Sequence, residues 1–229
     1  MAVGPLVTVT RDAHEAAERV ADVLATAIDS ARTIRGVAHV ALSGGTTPRE
    51  AYALLGPRLD GWDDVHVWFA DERCVDPDDP EANSRLVRET LASPGATIHR
   101  MRGELGPDAA AAAYALELGD TLLDVVLLGM GPDGHTASLF PGSPGLDAGG
   151  AVVGVSDAPK PPPERVSLTF PTLNEARRLV LLVTGEGKAD ALARVVAGPD
   201  RAIPASLLAR DNLEIVADEA ALSRVPGDG

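Results

Sequence analysis

Three features of this chain predict an α/β fold built on a mostly parallel sheet. Strand-like and helix-like segments alternate along its whole length, as crossover-connected parallel strands require. Residues 122–129 (LLDVVLLG) form the apolar run expected of a central strand covered on both faces. Glycine-rich or charged segments follow the strands at 43–47, 71–73, 129–136 and 185–188, and in open parallel sheets ligands bind beyond the carboxyl ends of the strands.

The elements follow in order. Residues 6–10 (LVTVT) read as the first strand. Asp12 starts a helix with Glu15 as its capping-box partner, and Gly36 ends it. Ala13, Ala16, Val20, Val23, Ala27, Ala31 and Ile34 give that helix one apolar stripe. Residues 37–42 form the second strand, and Thr47, Pro48 and Glu50 occupy N-cap, N1 and N3 of the next helix. Residues 65–70 are a strand ending at Asp71-Glu72-Arg73, with helices over 81–92 and 107–119. Further strands are expected at 151–156, 165–170 and 178–185, a last main helix from Gly187 to Val196, and a late edge strand at 212–217. The proline-rich stretch 159–163 reads as a stiff loop.

With 229 residues, no internal repeat and no long linker, residues 1–229 form a single domain. Hydrophobic residues make up 45% but aromatics only 3%, so the core is expected to be aliphatic. The net charge of -14 argues against nucleic acid and against an anionic membrane surface. A small anionic substrate stays open, because a few local cations outweigh a distant field. A single cysteine, Cys74, excludes an internal disulfide and a Cys-rich zinc site, and no histidine pair has metal-ligand spacing. The N-terminus lacks the basic and apolar regions of a secretory signal, and no apolar run reaches membrane-span length. A soluble cytoplasmic protein is the expectation.

Four segments carry candidate chemistry. Ser43-Gly44-Gly45-Thr46 lies between a strand and a helix, which suits either an anion-binding loop at a helix N-terminus or a tight turn. Lys188 falls in the first turn of a helix, where its charge opposes the dipole unless an anion binds; alone it reads as a surface lysine. Arg165 opens a buried-looking strand, where a charge needs a partner. On the loop 129–136, Asp133 and His135 stand two residues apart, as a neutral imidazole taking a proton from water and a carboxylate orienting it. A loop histidine merely capping the next helix is the plain alternative, although His14, His39, His66 and His99 show no comparable setting. Arg73 is either a cation for substrate and oxyanion or part of a local salt bridge; Asp71 is a polar anchor. Cys74 has no histidine neighbour and reads as structural, and no Gly-x-Ser-x-Gly elbow occurs.

Taken together, SGGTTP (43–48), WFADERCV (68–75) with DDPEANS (78–84), LLGMGPDGHTASLFPG (127–142), RVSLTFPTLNEA (165–176) and VTGEGKADAL (183–192) resemble the 6-phosphogluconolactonase family, in that family's order. The resemblance implies a Rossmann-like three-layer α/β/α sandwich, as in the glucosamine-6-phosphate deaminase-like fold. It implies hydrolysis of 6-phospho-D-glucono-1,5-lactone to 6-phospho-D-gluconate in the oxidative pentose phosphate pathway. No metal or organic cofactor is implied, and the partner is a small sugar phosphate lactone taken by a monomer. By resemblance, Ser43, Gly44, Gly45 and Thr46 with Arg165 and Lys188 form the 6-phosphate pocket, His135 activates water, and Arg73 and Asp71 lie near the sugar ring. Asp133 either takes part in catalysis or shapes the loop.

The sister deaminases differ at one telling position. They carry a glutamate five residues after the histidine, where this chain has Phe140, and an aromatic residue where it has Arg73. Ala82 replaces a commoner serine before Asn83. A phosphosugar isomerase or deaminase, and a non-catalytic sugar-phosphate sensor, are the competing readings.

Overall fold

The computed structural model describes residues 4–226. In chain order the elements are β1 (Leu6–Thr10), α1 (Ala13–Arg35), β2 (Ala38–Leu42), α2 (Thr46–Leu55), β3 (Val65–Phe69), β4 (Asp71–Arg73), α3 (Asn83–Thr90), β5 (Thr97–Ile98), α4 (Pro107–Leu118) and β6 (Val125–Gly129). Then follow β7 (Val152–Val155), β8 (Arg165–Leu168), α5 (Phe170–Glu175), β9 (Leu179–Val183), α6 (Ala189–Ala197), β10 (Leu213–Asp218) and α7 (Glu219–Leu222). Short 3₁₀ turns punctuate the connections, one of them at Glu186–Lys188.

Seven strands form the main sheet in the order β1-β10-β9-β6-β2-β3-β5, every pair parallel. The expected α/β class and parallel sheet are therefore present, and β6 is the central strand. Every residue of Val125–Leu128 is fully buried, as its apolar run requires. A second sheet of three antiparallel strands, β4-β8-β7, was not anticipated. Two of its strands fall within the segments expected at 151–156 and 165–170; their antiparallel pairing with the three-residue β4 has no local signal. This small sheet sets Arg73 opposite Arg165 and Asp71 opposite Ser167, and so brings two distant segments to one place.

Helix α1 starts as its cap predicts: the Asp12 carboxylate accepts the Glu15 N–H at 2.9 Å. The reciprocal half of the box is displaced, because the Glu15 carboxylate takes the Arg11 N–H at 2.8 Å. Gly36 closes the helix with φ 77°. Its buried face is wider than the expected stripe and includes Ala17, Ala21, Leu24 and Ile28, whereas Ala13 and Ile34 face water. Helix α2 begins two residues early: Gly45 is its N-cap and no side chain caps it, so Thr47, Pro48 and Glu50 are not N-cap, N1 and N3. The core is mostly Ala, Val, Leu and Ile, but Trp62, Tyr52, Tyr114 and Phe69 are among its largest fully buried side chains. Both tyrosines have structural work, since Tyr114 Oη accepts the Phe69 N–H at 2.8 Å and Tyr52 holds the loop after β2.

Away from the strand ends where the site forms, three histidines that share no sequence motif gather around Trp68. His66 Nδ1 lies 2.9 Å from His99 Nε2, and the His99 ring stacks on Trp68 at 3.7 Å. His39 accepts the Trp68 indole N–H at 3.1 Å. The earlier judgement that these histidines lack a setting holds for catalysis only.

The late strand is not at an edge. β10 lies between β1 and β9, and all six of its residues are buried. Among those residues is Glu214, a charge in the interior of the sheet. It is 2% exposed and accepts from Arg19 at 2.8 Å, Arg178 at 2.5 Å and Thr8 at 3.0 Å. Burial works to raise its pKa, but these donors outweigh burial and hold it below the ordinary carboxylate value. A depressed folded-state pKa stabilises above the unfolded value and is lost as pH falls through the folded one. Glu214→Ala is therefore expected to cost about 1–3 kcal/mol near neutral pH, measured by urea unfolding. The gap to the parent protein is expected to narrow below about pH 4.3; a gap unchanged down to acid pH would refute the ion-pair account.

Candidate active site

The carboxyl ends of β2, β3, β6 and β9 open onto one cleft of about 190 Å³. Ser43, Gly44, Gly45, Thr46, Asp71, Arg73, His135, Arg165 and Lys188 all line it. Of the residues expected from sequence, Asp133 alone does not line it, and it reaches the cleft only through its bond to His135.

The loop after β2 is anchored from below. Ser43 is buried, its hydroxyl donates to the Leu127 carbonyl at 2.9 Å, and its backbone is clamped by Tyr52 Oη on both sides. Ser43 thus fixes the loop, and its hydroxyl proton is not free for a ligand. Gly45 has φ 108°, a conformation that only glycine adopts without strain. Past it, the first turn of α2 presents backbone N–H groups at the positive end of a ten-residue helix.

The loop after β6 is closed by three bonds. Thr136 Oγ1 donates to the Gly129 carbonyl at 2.9 Å, Gly131 N–H to the His135 carbonyl at 2.9 Å, and Gly134 N–H to the Gly131 carbonyl at 2.9 Å. Gly131 leaves the space the dyad occupies, since a Cβ there would lie 2.2 Å from the His135 ring and 2.5 Å from Asp133 Oδ1. His135 Nδ1 is 2.5 Å from Asp133 Oδ1, which makes Nδ1 the protonated nitrogen and leaves Nε2 with the lone pair. Burial lowers the pKa of His135, and this outweighs the upward pull of Asp133. Asp133 lies below the usual carboxylate range because its bond to His135 outweighs its own burial. At neutral pH the pair is a neutral imidazole beside a carboxylate.

Phe140 supplies much of that burial. Its ring centroid is 4.5 Å from that of His135, and the Arg165 guanidinium carbon stands 5.6 Å from it on the cation–π side. A 2% exposed phenyl ring thus sits in contact with both the candidate base and the candidate anion-binding cation.

Arg165 is 5% exposed, and its donors end on backbone carbonyls: Pro162 at 3.0 Å, Lys160 at 3.1 Å and Pro161 at 3.4 Å. The stretch 159–163, expected to be only a stiff loop, is the bracket for this guanidinium. Lys188 lies in the 3₁₀ turn ahead of α6, not in its first turn, and is half-buried. Asp218 holds that loop by accepting the Gly185 N–H at 3.0 Å. Burial lowers the pKa of both Arg165 and Lys188. Neither forms an ion pair with a carboxylate among the described residues, so both keep their charge available.

Arg73 is less free. Its Nη1 donates to the Glu81 carbonyl at 2.5 Å and lies 3.5 Å from the Glu81 carboxylate. The structure thus contains both the salt bridge and the cleft position that the sequence left as alternatives. Asp71 is buried and fixed, with Ser138 Oγ donating to its Oδ2 at 2.7 Å. Glu72, between them, is 2% exposed and accepts backbone N–H groups from Arg73, Asn83 and Ser84 at 2.8, 2.6 and 2.7 Å. Sequence reasoning assigned no role to Glu72, Asn83 or Gly131, although each lies in a segment singled out there, 71–73, 78–84 and 129–136. Cys74 is no nucleophile, since burial pushes its thiol up to about 11.

Comparison with known proteins identifies the family. The family described as glucosamine-6-phosphate isomerases/6-phosphogluconolactonase matches residues 11–217. A 6-phosphogluconolactonase of Streptomyces coelicolor is 38% identical, over 97% of this chain and 95% of the relative. The crystal structure of a 6-phosphogluconolactonase from Shewanella baltica superposes with a TM-score of 0.85 at 28% identity, covering 93% of this chain and 97% of the other. A monomeric glucosamine-6-phosphate deaminase shares the fold, with a TM-score of 0.80 at 21% identity over 96% of this chain and 99% of the other. Matched over nearly its whole length, the chain belongs to the glucosamine-6-phosphate isomerase/6-phosphogluconolactonase family.

Proposed function

We propose that the protein hydrolyses 6-phospho-D-glucono-1,5-lactone to 6-phospho-D-gluconate, the lactone-opening step of the oxidative pentose phosphate pathway. One observation carries this reading: a buried and a half-buried cation, neither with a carboxylate partner, share a cleft with a neutral, carboxylate-oriented imidazole. An anionic group at one end and a water-activated reaction at the other answer both halves of that arrangement.

In the proposed mechanism the 6-phosphate docks on Arg165, Lys188 and the backbone of 43–46, which sets the C1 carbonyl near His135. His135 Nε2 removes a proton from water as the water oxygen bonds to C1. Asp133 keeps the Nδ1 proton in place and stabilises the imidazolium that forms. Arg73 and backbone N–H groups of the 129–135 loop offset the charge on the tetrahedral oxygen. The C1–O5 bond then breaks, and the departing ring oxygen takes the proton back from His135. The lactone is an activated ester, so positioning and one base suffice.

The deaminase reading lacks an acid at position 140, where Phe140 is packed against His135. A sensor would need the cations but not a dyad. No described helix is long and apolar enough to cross a membrane, and the net charge is -14, which together support a cytoplasmic enzyme without membrane or nucleic-acid partners.

Freshly generated lactone is expected to release acid well above its spontaneous rate, and glucosamine 6-phosphate to release no ammonia. His135→Asn is expected to lower kcat by about 10²–10⁴; near-full kcat in that variant would overturn the base assignment.

Lys188→Ala is expected to raise KM roughly 10- to 100-fold with kcat little changed. The same substitution is expected to leave turnover of unphosphorylated gluconolactone unaffected. An equal loss on both lactones would mean that Lys188 does not read the phosphate.

Because burial lowers its pKa, His135 is expected to lose activity only below the ordinary histidine value of about 6.5. Asp133 pulls that pKa upward, so Asp133→Asn is expected to move the acid limb of kcat/KM to still lower pH and to reduce the plateau. A limb displaced toward neutral pH would contradict the dyad.

A further inference from the structure

We propose that Asn83 is a specificity-determining residue whose side-chain oxygen accepts a hydrogen bond from one ring hydroxyl of the sugar lactone. This rests on the lactone reading above and adds a contact to it.

Asn83 is 2% exposed and lines the cleft beside Gly44 and Asp71. Its amide nitrogen donates to the Asp71 carbonyl at 2.9 Å and to Asp71 Oδ1 at 3.2 Å. That choice is forced: with the amide turned over, its oxygen would face two acceptors at the same distances. Asp71 cannot rotate to relieve the conflict, because Ser138 holds its other oxygen at 2.7 Å. The backbone of Asn83 is equally constrained, with Glu72 accepting the N–H groups of both Asn83 and Ser84 at the start of α3. The Asn83 Oδ1 therefore has one position, pressed against Gly44, where an added Cβ would lie 1.7 Å away.

In that position Oδ1 accepts no hydrogen bond among the described residues. Asn83 lines the cleft and its Oδ1 is not sealed off by protein, so a ligand hydroxyl entering the cleft can reach it and take the place of water as its donor. The chemistry of the partner follows. An acceptor repels phosphate, carboxylate and carbonyl oxygens, and it selects a hydroxyl. In the 1,5-lactone C1 is the carbonyl, O5 closes the ring and C6 carries phosphate, so the hydroxyls at C2, C3 and C4 are the only candidates.

The test measures kcat/KM for the parent protein and for Asn83→Ala on freshly made 6-phosphoglucono-1,5-lactone and on its 2-, 3- and 4-deoxy counterparts. The parent protein is expected to lose roughly 10- to 100-fold on one deoxy lactone. Asn83→Ala is expected to lose a similar factor on the full lactone and to treat that deoxy lactone as its equal. Should Asn83→Ala fold poorly, Asn83→Ser, whose shorter side chain withdraws the acceptor, is measured in its place with the same two outcomes. All three deoxy lactones turned over within threefold of the full one would overturn the proposal while leaving the lactonase reading intact. A deoxy penalty that persists unchanged in Asn83→Ala assigns the hydroxyl to another residue and also overturns it. No turnover of the full lactone by the parent protein would remove the lactonase reading and this inference with it.

Discussion

Positive charge held in a buried cleft without a neutralising carboxylate is the constraint on which the rest of the site depends. A buried guanidinium must be hydrogen-bonded, and pairing with a carboxylate is the usual solution. Here Arg165 is satisfied by the carbonyls of Lys160, Pro161 and Pro162. Carbonyls absorb donors but cancel no charge, so the full cation remains for a ligand. The same logic governs Lys188, whose loop is fixed by Asp218 through the Gly185 N–H and not through the ammonium. In both cases the protein holds the backbone near the cation and leaves the charge unpaired.

Phe140 joins this cationic end to the catalytic end. It withdraws His135 from water, which keeps the imidazole neutral, and its ring face stabilises Arg165 without neutralising it. A carboxylate at that position would do the opposite on both counts: it would pair with Arg165 and raise the pKa of His135 toward the charged form. The substitution that separates this chain from the deaminases thus changes more than one reacting group. It sets the protonation state of the base and the charge of the anion site together.

Much of this was legible in the sequence because it depends on local chemistry. The strand–glycine–helix transition at 43–47, the loop 129–136 and the apolar run of β6 are contiguous, and each carries its own signal. What escaped detection depends on distant pairing. The β4-β8-β7 sheet joins residues nearly a hundred positions apart, and their antiparallel pairing has no local signal. Glu72 and Glu214 look like surface charges until the donors that surround them are known. The partners of Glu214 come from β1, α1 and the residue before β9, all far from it in sequence. Asn83 was visible as part of a motif, but its orientation follows from Asp71 and Ser138, which no spacing rule connects to it.

The acidity of the whole chain poses an apparent difficulty for a phosphorylated substrate. With a net charge of -14, the distant field opposes a dianion. Screening limits that field, because charges farther away than about 8 Å contribute little in solution at physiological salt. Inside the cleft the balance is local, and the nearest groups are Arg165, Lys188, Arg73 and the backbone N–H groups of α2. Asp71 is the one carboxylate lining the cleft, and both of its oxygens already accept from Ser138 and Asn83. The neutral donors that hold Asp71 in place therefore orient the sugar-facing side of the cleft without adding to its charge. Within the cleft Arg73, Arg165 and Lys188 outnumber Asp71, and the surface charge is free to serve solubility.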